Sequence, residues 1–126
     1  MVSCVFCGDV KKSKYLENEH AFAVHDIFPV NHGHMLIIPK RHTECSFDLT
    51  EKEVMAIHQL IGKCKEILDE KFSPDGYNIG INNGEAAGQT IFHLHVHMIP
   101  RYQNDVEKPA GGIRNFKEPL VPYPGL

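Results

Sequence analysis

From Thr90 to Ile99 histidine alternates with apolar residues, reading Thr90-Ile91-Phe92-His93-Leu94-His95-Val96-His97-Met98-Ile99 until Pro100 interrupts. A two-residue period marks a β-strand with two unlike faces. His93, His95 and His97 then project from one side, while Phe92, Leu94, Val96 and Met98 project from the other and can bury against a helix. One strand thus supplies both core and chemistry. At ~3.3 Å per residue the outer two histidines start about 13 Å apart. One metal ion does not reach all three, so the imidazoles are expected to have separate tasks. Imidazole has no special strand propensity, so three in register need a reason; the rival to catalysis is a zinc site that uses two of them.

The rest of the chain provides partners for that strand. His20 to Phe28 is β-prone and ends at Pro29, and after a turn at Asn31 to Gly33, Met35-Leu36-Ile37-Ile38 reads as a buried strand that stops at Pro39. These two form an antiparallel pair. Thr50-Glu51-Lys52-Glu53 is a capping box, and Val54, Ile57, Ile61, Cys64 and Leu68 follow at helical spacing. Cys64 on that stripe reads as a small core residue. Pro74, Asp75 and Gly76 end the helix, Tyr77 to Asn82 alternates as a half-buried strand, and Asn83 to Gly88 is a glycine-punctuated loop. Residues 1–102 form one domain on this reading, and 103–126, rich in Pro and Gly, form an extended tail packed on the domain or on a dimer.

A chain of 126 residues fits a single domain. Thirteen basic against sixteen acidic residues give a formal charge of −3, without the clustered Lys and Arg that a phosphate-tracking nucleic-acid surface needs. No apolar run approaches the ~20 residues of a membrane helix, and Met1-Val2-Ser3-Cys4 does not open like a signal peptide. The expectation is a cytoplasmic protein with reduced thiols. Cysteines 4, 7, 45 and 64 are then metal ligands or core residues before they are disulfides. Cys4-x-x-Cys7 is half of a tetrahedral zinc site. His42, Cys45 and His93 are candidates for the other half, and spacing alone leaves unliganded thiols equally open. Four protein ligands would make such a site structural.

A neutral imidazole is a good nucleophile near pH 7, and a second histidine beside it can act as general acid. Phosphoryl groups are a natural target. Gly84, Gly88 and the polar Gln89-Thr90, immediately before the histidine strand, would let backbone and side-chain donors approach phosphate oxygens.

The run from Gly88 to Ile99 resembles the signature of the histidine triad (HIT) family, with apolar residues alternating with the three histidines. Ala23 to Pro29 and Gly33 to His42 are similar to that family in the same order. The resemblance implies an α+β fold with an antiparallel sheet of about five strands, one long helix and a short N-terminal helical turn, paired as a two-fold homodimer. It implies attack by His95 on the α-phosphorus of a nucleotide through a nucleotidyl-histidine intermediate, with His97 serving the leaving group. His93, with Thr90 or Gln89, would hold the phosphate environment. Asp26 would meet the ribose hydroxyls, Asn82 the phosphate or ribose, and Val5, Phe6, Val24 and Ile27 the base, with core packing an equal reading for each apolar residue. Zinc-bearing members show a ligand set that corresponds here to Cys4, Cys7, His42 and His93, which implies a structural zinc ion. The run Glu85 to Thr90 looks closer to the branch that cleaves dinucleoside polyphosphates. A nucleoside phosphoramidate is the alternative substrate, and a nucleotide-binding regulatory module with little turnover the alternative role.

Overall fold

In the computed structural model, residues 4–116 are described. The long helix α1 (Glu51–Phe72) starts where the capping box places it. Thr50 Oγ1 accepts the Glu53 N–H at 3.2 Å and Glu53 Oε1 accepts the Thr50 N–H at 2.9 Å. Its last turn closes on Ser73, which adopts the left-handed conformation (φ 48°) and donates its N–H to Asp69 O, just ahead of Pro74. The buried stripe runs through Glu53, Ala56, Ile57, Leu60, Cys64 and Leu68, with Ile61 at its margin. Val54, expected on that stripe, is half exposed. The correction has a simple cause: the buried position in the first turn belongs to Glu53, whose carboxylate is neutralised by Arg41 at 2.8 and 3.0 Å. A pattern of apolar types does not register a buried ion pair. Cys64 is a core residue as expected, and burial pushes its thiol up to about 11.

Five strands, β1 (Leu16–Glu17), β2 (Ala21–His25), β3 (Met35–Pro39), β4 (Gly76–Ile81) and β5 (Val96–Arg101), form one sheet in the order β1-β2-β3-β5-β4. Every neighbouring pair is antiparallel. With α1 and the short 3-10 turn Asp9–Ser13, this is the expected α+β architecture. Strand parity divides the core. Ala21, Ala23, Met35, Ile37, Val96 and Met98 pack against α1, whereas Phe22, Val24, Leu36 and Ile38 pack on the opposite face under Phe6 and Val10. Leu36 pairs with His97, which assigns His97 to the face away from the helix.

The histidine strand is shorter than its alternation suggests. β5 begins only at Val96, so His93 and His95 precede it, and it continues through Pro100 to Arg101. Phe92, expected in the core, is exposed. The ladder stops because its continuation has been diverted: Leu94 N–H donates to Thr43 O at 2.7 Å, and the Pro39 carbonyl is taken by the His93 ring at 2.7 Å. Past β5, Arg101 grips the Asp105 carboxylate with two contacts of 2.8 Å, and Asp105 also accepts the Tyr102 N–H and the Asn31 side-chain amide. Asn31 donates in addition to Pro100 O at 3.0 Å. The tail beyond this clasp includes a 3-10 turn at Gly112–Arg114, and residues 117–126 of the expected tail lie outside the described residues.

The hydrogen-bonded Arg41 guanidinium holds the Glu53 carboxyl at about 2, against an ordinary value of 4.5. A depressed folded-state value means stability that is present above pH ~4.5 and lost as pH falls toward 2. Glu53→Gln is therefore expected to cost about 1 kcal/mol at pH 7, after allowance for the half-exposed Arg41. The gap from wild type in urea unfolding should narrow as pH falls below 4.5.

Candidate active site and metal cluster

The N-terminal segment turns at Cys4 to Cys7, where the Cys7 N–H donates to Cys4 O at 3.2 Å, and delivers both sulfurs to the fully buried ring of His93. His93 Nδ1 lies 3.3 Å from Cys4 Sγ and 3.4 Å from Cys7 Sγ, and His42 Nδ1 lies 3.4 Å from Cys7 Sγ. The four donor atoms fall within 4.8 Å of one another. Two sulfurs and two imidazole nitrogens make a zinc-type donor set, and His93 Nε2–H donates to Pro39 O, the second contact that fixes the tautomer of a ligating histidine. Burial, and then the Cys4 sulfur beside it, raise the Cys7 thiol. A cation among these donors would hold both sulfurs as thiolates. Cys45, the other thiol near His42 in sequence, is elsewhere and donates to Asp48 Oδ2.

Beside the cluster, on the sheet face away from α1, lies a cavity of about 410 Å³. Its size falls within the range of small-molecule sites. Val5, Phe6, Val24 and Ile27 supply apolar wall, and Asp26, Asn82, Thr90, His95 and His97 supply polar atoms. Phe6 and Val24 line the cavity and also belong to the core on this face. Val5 and Ile27 are exposed. Phe6 meets the His95 ring edge-on at 5.0 Å, and the His95 and His97 rings lie 5.2 Å apart. His95 Nδ1–H donates to the His93 carbonyl at 2.9 Å, which leaves the Nε2 lone pair free. A second concavity, of about 670 Å³ along β4 and residues 106–116, shares His97 and Asn82 with the first.

Two expected site residues are spent elsewhere. Both nitrogens of His93 are engaged, one by Pro39 O and the other by the sulfurs, so its ring has no face for phosphate. It acts on the cavity through its backbone carbonyl. Gln89 is buried: its Nε2 donates to Glu44 O at 2.7 Å and Ile91 O at 3.1 Å, and its Oε1 accepts the Gly84 N–H at 2.8 Å. The amide holds the loop in shape, between Gly84 and a left-handed Gly88 (φ +96°), instead of reaching a ligand. Thr90 is exposed beside it.

One residue of this site escapes a search for motifs. His34 is buried, with Nε2 at 3.0 Å from His97 Nδ1 and 3.4 Å from Asp26 Oδ2. Asp26 Oδ1 accepts the Phe28 N–H at 2.8 Å. Gly33, with φ +88°, turns the chain into His34 where a side chain would meet Leu68, Phe72 and Pro100 at 3.0–3.1 Å. Extending the parity of β3 back from Leu36 to residue 34 is the signal that puts this histidine on the cavity face.

Removing the Gln89 amide leaves three backbone groups without their partner. Gln89→Ala is expected to lower the unfolding free energy by about 1–3 kcal/mol in urea titration.

The model of the HIT domain family matches residues 8–104. "Protein hit" of Bacillus subtilis is 40% identical over 104 residues, which cover 79% of this chain and 72% of the relative. "Adenosine 5'-monophosphoramidase hnt1" of Schizosaccharomyces pombe is 35% identical over 104 residues, covering 79% and 75%. "Bis(5'-adenosyl)-triphosphatase" of Dictyostelium discoideum is 36% identical over 93 residues, covering 74% and 62%. Among solved structures, a HIT family protein from Bacillus anthracis superposes with a TM-score of 0.74 at 42% identity, covering 80% of this chain and 74% of that one. A zinc-bound histidine triad family protein from Mycobacterium smegmatis does so with a TM-score of 0.74 at 37% identity, covering 82% and 78%.

Proposed function

This chain belongs to the HIT domain family, and on that premise we propose that it cleaves adenosine dinucleoside polyphosphates at the α-phosphate through a nucleotidyl-histidine intermediate. The observation that carries the reading is His95: its Nδ1–H is committed to the His93 carbonyl, and its ring lines a nucleotide-sized cavity with the Nε2 lone pair available. In the first step that lone pair forms a bond to the α-phosphorus. The P–O bond to the remaining polyphosphate breaks, and the leaving group departs with the electron pair as an anion that His97 would assist. Water then attacks the phosphorus, the N–P bond returns its electrons to Nε2, a water proton passes to solvent, and the nucleoside monophosphate is released. Asp26 and Asn82 would orient ribose and phosphate, Thr90 would donate to phosphate, and Val5, Phe6, Val24 and Ile27 would enclose the base. Relatives named as a bis(5'-adenosyl)-triphosphatase and as an adenosine 5'-monophosphoramidase support an adenosine nucleotide. The second name favours a phosphoramidate as the alternative substrate.

The cluster of Cys4, Cys7, His42 and His93 would hold Zn²⁺ in a structural role, since four protein donors leave no open position. The zinc-bound relative supports that choice of metal. Homodimerisation is part of the same reading: β4 is an edge strand with Ile79 and Ile81 partly exposed. So is a cytoplasmic setting; among the described residues no helix is long and apolar enough to cross a membrane.

Two measurements test the proposal. Brief mixing with diadenosine tetraphosphate, followed by intact-mass spectrometry under non-acidic conditions, is expected to show a gain of one adenylyl group that His95→Ala abolishes. An adenosine phosphoramidate run in parallel ranks the two substrates by loading rate. Absence of an adduct, with both substrates surviving long incubation, would leave a nucleotide-binding module instead of an enzyme. Elemental analysis is expected to find about one zinc per chain, lost in the double variant Cys4→Ser/Cys7→Ser, and a stable, zinc-free wild type would refute the metal assignment.

A further inference from the structure

The segment between β2 and β3 closes on itself around His34. Asp26 N–H donates to His34 O at 3.0 Å, and His34 N–H donates to Asn31 O at 3.2 Å. The Val30 N–H donates to His34 Nδ1 at 3.0 Å. A ring nitrogen that accepts a hydrogen bond carries no proton, so neutral His34 is protonated on Nε2. That N–H confronts His97 Nδ1 at 3.0 Å, with Asp26 Oδ2 at 3.4 Å on its flank. A proton on His97 Nδ1 would set two N–H groups against each other at this distance, and the nearby carboxylate oxygen, Asp26 Oδ2, is 3.9 Å away, too far to receive it instead. His97 Nδ1 is therefore an acceptor, and the proton of the neutral ring sits on Nε2, at the opposite edge.

We propose that His34 is a positioning residue which locks His97 as the Nε2–H tautomer, making it a fixed hydrogen-bond donor to the leaving-group atom. This rests on the reading of His97 given above. Burial disfavours the charged form of both rings, first among the causes for each, which agrees with a neutral pair. The lock makes the neighbouring imidazoles opposites. His95 is held with its proton on Nδ1 and a bare Nε2, whereas His97 is held with a bare Nδ1 and its proton on Nε2. Nucleophile and donor cannot exchange roles while both anchors are in place. The proton stays on His97 throughout, and a polyphosphate anion takes the hydrogen bond without needing the proton itself. The lock is set from outside the triad, by a backbone N–H in the loop whose Ile27 and Phe28 rim the cavity.

The first test needs no turnover. In the ¹⁵N-labelled full-length chain, two-bond nitrogen–proton correlation spectra are expected to show His97 with an unprotonated Nδ1 and a protonated Nε2, and His95 with the reverse pattern. A proton on His97 Nδ1, or averaging between the two tautomers, would overturn the proposal whatever the protein does to nucleotides. The second test is a pair of substitutions. His34→Gln can offer an amide N–H to His97 and is expected to retain the Nε2–H pattern and kcat within about threefold. His34→Leu lacks a donor; it is expected to give mixed tautomers and to lose tenfold or more in kcat with little change in KM. Equal losses in both variants with His97 unchanged in the spectra would reduce His34 to packing and refute the lock. If either variant fails to fold, the wild-type spectra still decide. Loss of the adenylyl adduct in wild type would count against the catalytic reading and not against the tautomer.

Discussion

The buried imidazole of His93 is the junction on which the site depends. Its Nε2–H is held by the Pro39 carbonyl and its Nδ1 by the two sulfurs of the N-terminal turn, across 86 and 89 residues of sequence. A buried polar ring stripped of such partners would cost about 1–3 kcal/mol for each lost contact. The ring fixes the backbone at residue 93, and that backbone carbonyl holds His95 Nδ1–H. The metal-type cluster and the His95 ring are therefore one assembly. Any displacement of the N-terminal turn changes the direction in which His95 presents its lone pair.

The sheet separates support from chemistry by parity. Alternate residues of β2, β3 and β5 pack on α1, and their neighbours form the floor of the cavity beneath Phe6. Most polar groups enter this floor at strand ends and connections, where backbone leaves the ladder: Asp26 after β2, His34 before β3, Asn82 after β4, and His95 before β5, while His97 enters from within β5. The interior of the sheet is otherwise apolar, and Asp26, His34 and His95 sit where loop N–H and C=O groups are available to bond them.

Local chemistry made much of this legible. The Thr50 capping box, the Pro74 stop and the two-residue alternations gave the helix and the strands, and the four-residue metal set and most of the cavity wall emerged from spacing together with resemblance. The failures share a cause. The apolar pattern favours Val54 over Glu53 because a charge buried by a distant arginine leaves no mark in it. The alternation overstates the strand because the ladder ends through the His93 ring and Thr43, contacts that depend on the assembled fold. Gln89 resembles a phosphate donor in sequence, and His34 gives no sign of its role, for the same reason. A polar side chain's task is set by the partner it finds, and both find theirs in the interior.

The clasp at Asp105 bears on what counts as the end of this domain. The composition changes at residue 102, yet Asp105 binds Arg101 from β5, the Tyr102 backbone and Asn31 from the β2–β3 connection. Asn31 in turn braces the loop that closes over His34. The four residues after the last strand, 102–105, are thus a hasp for the β2–β3 connection. An insertion between 101 and 105 would pull Asp105 away from Asn31 and so loosen, from a distance, the loop that holds His34.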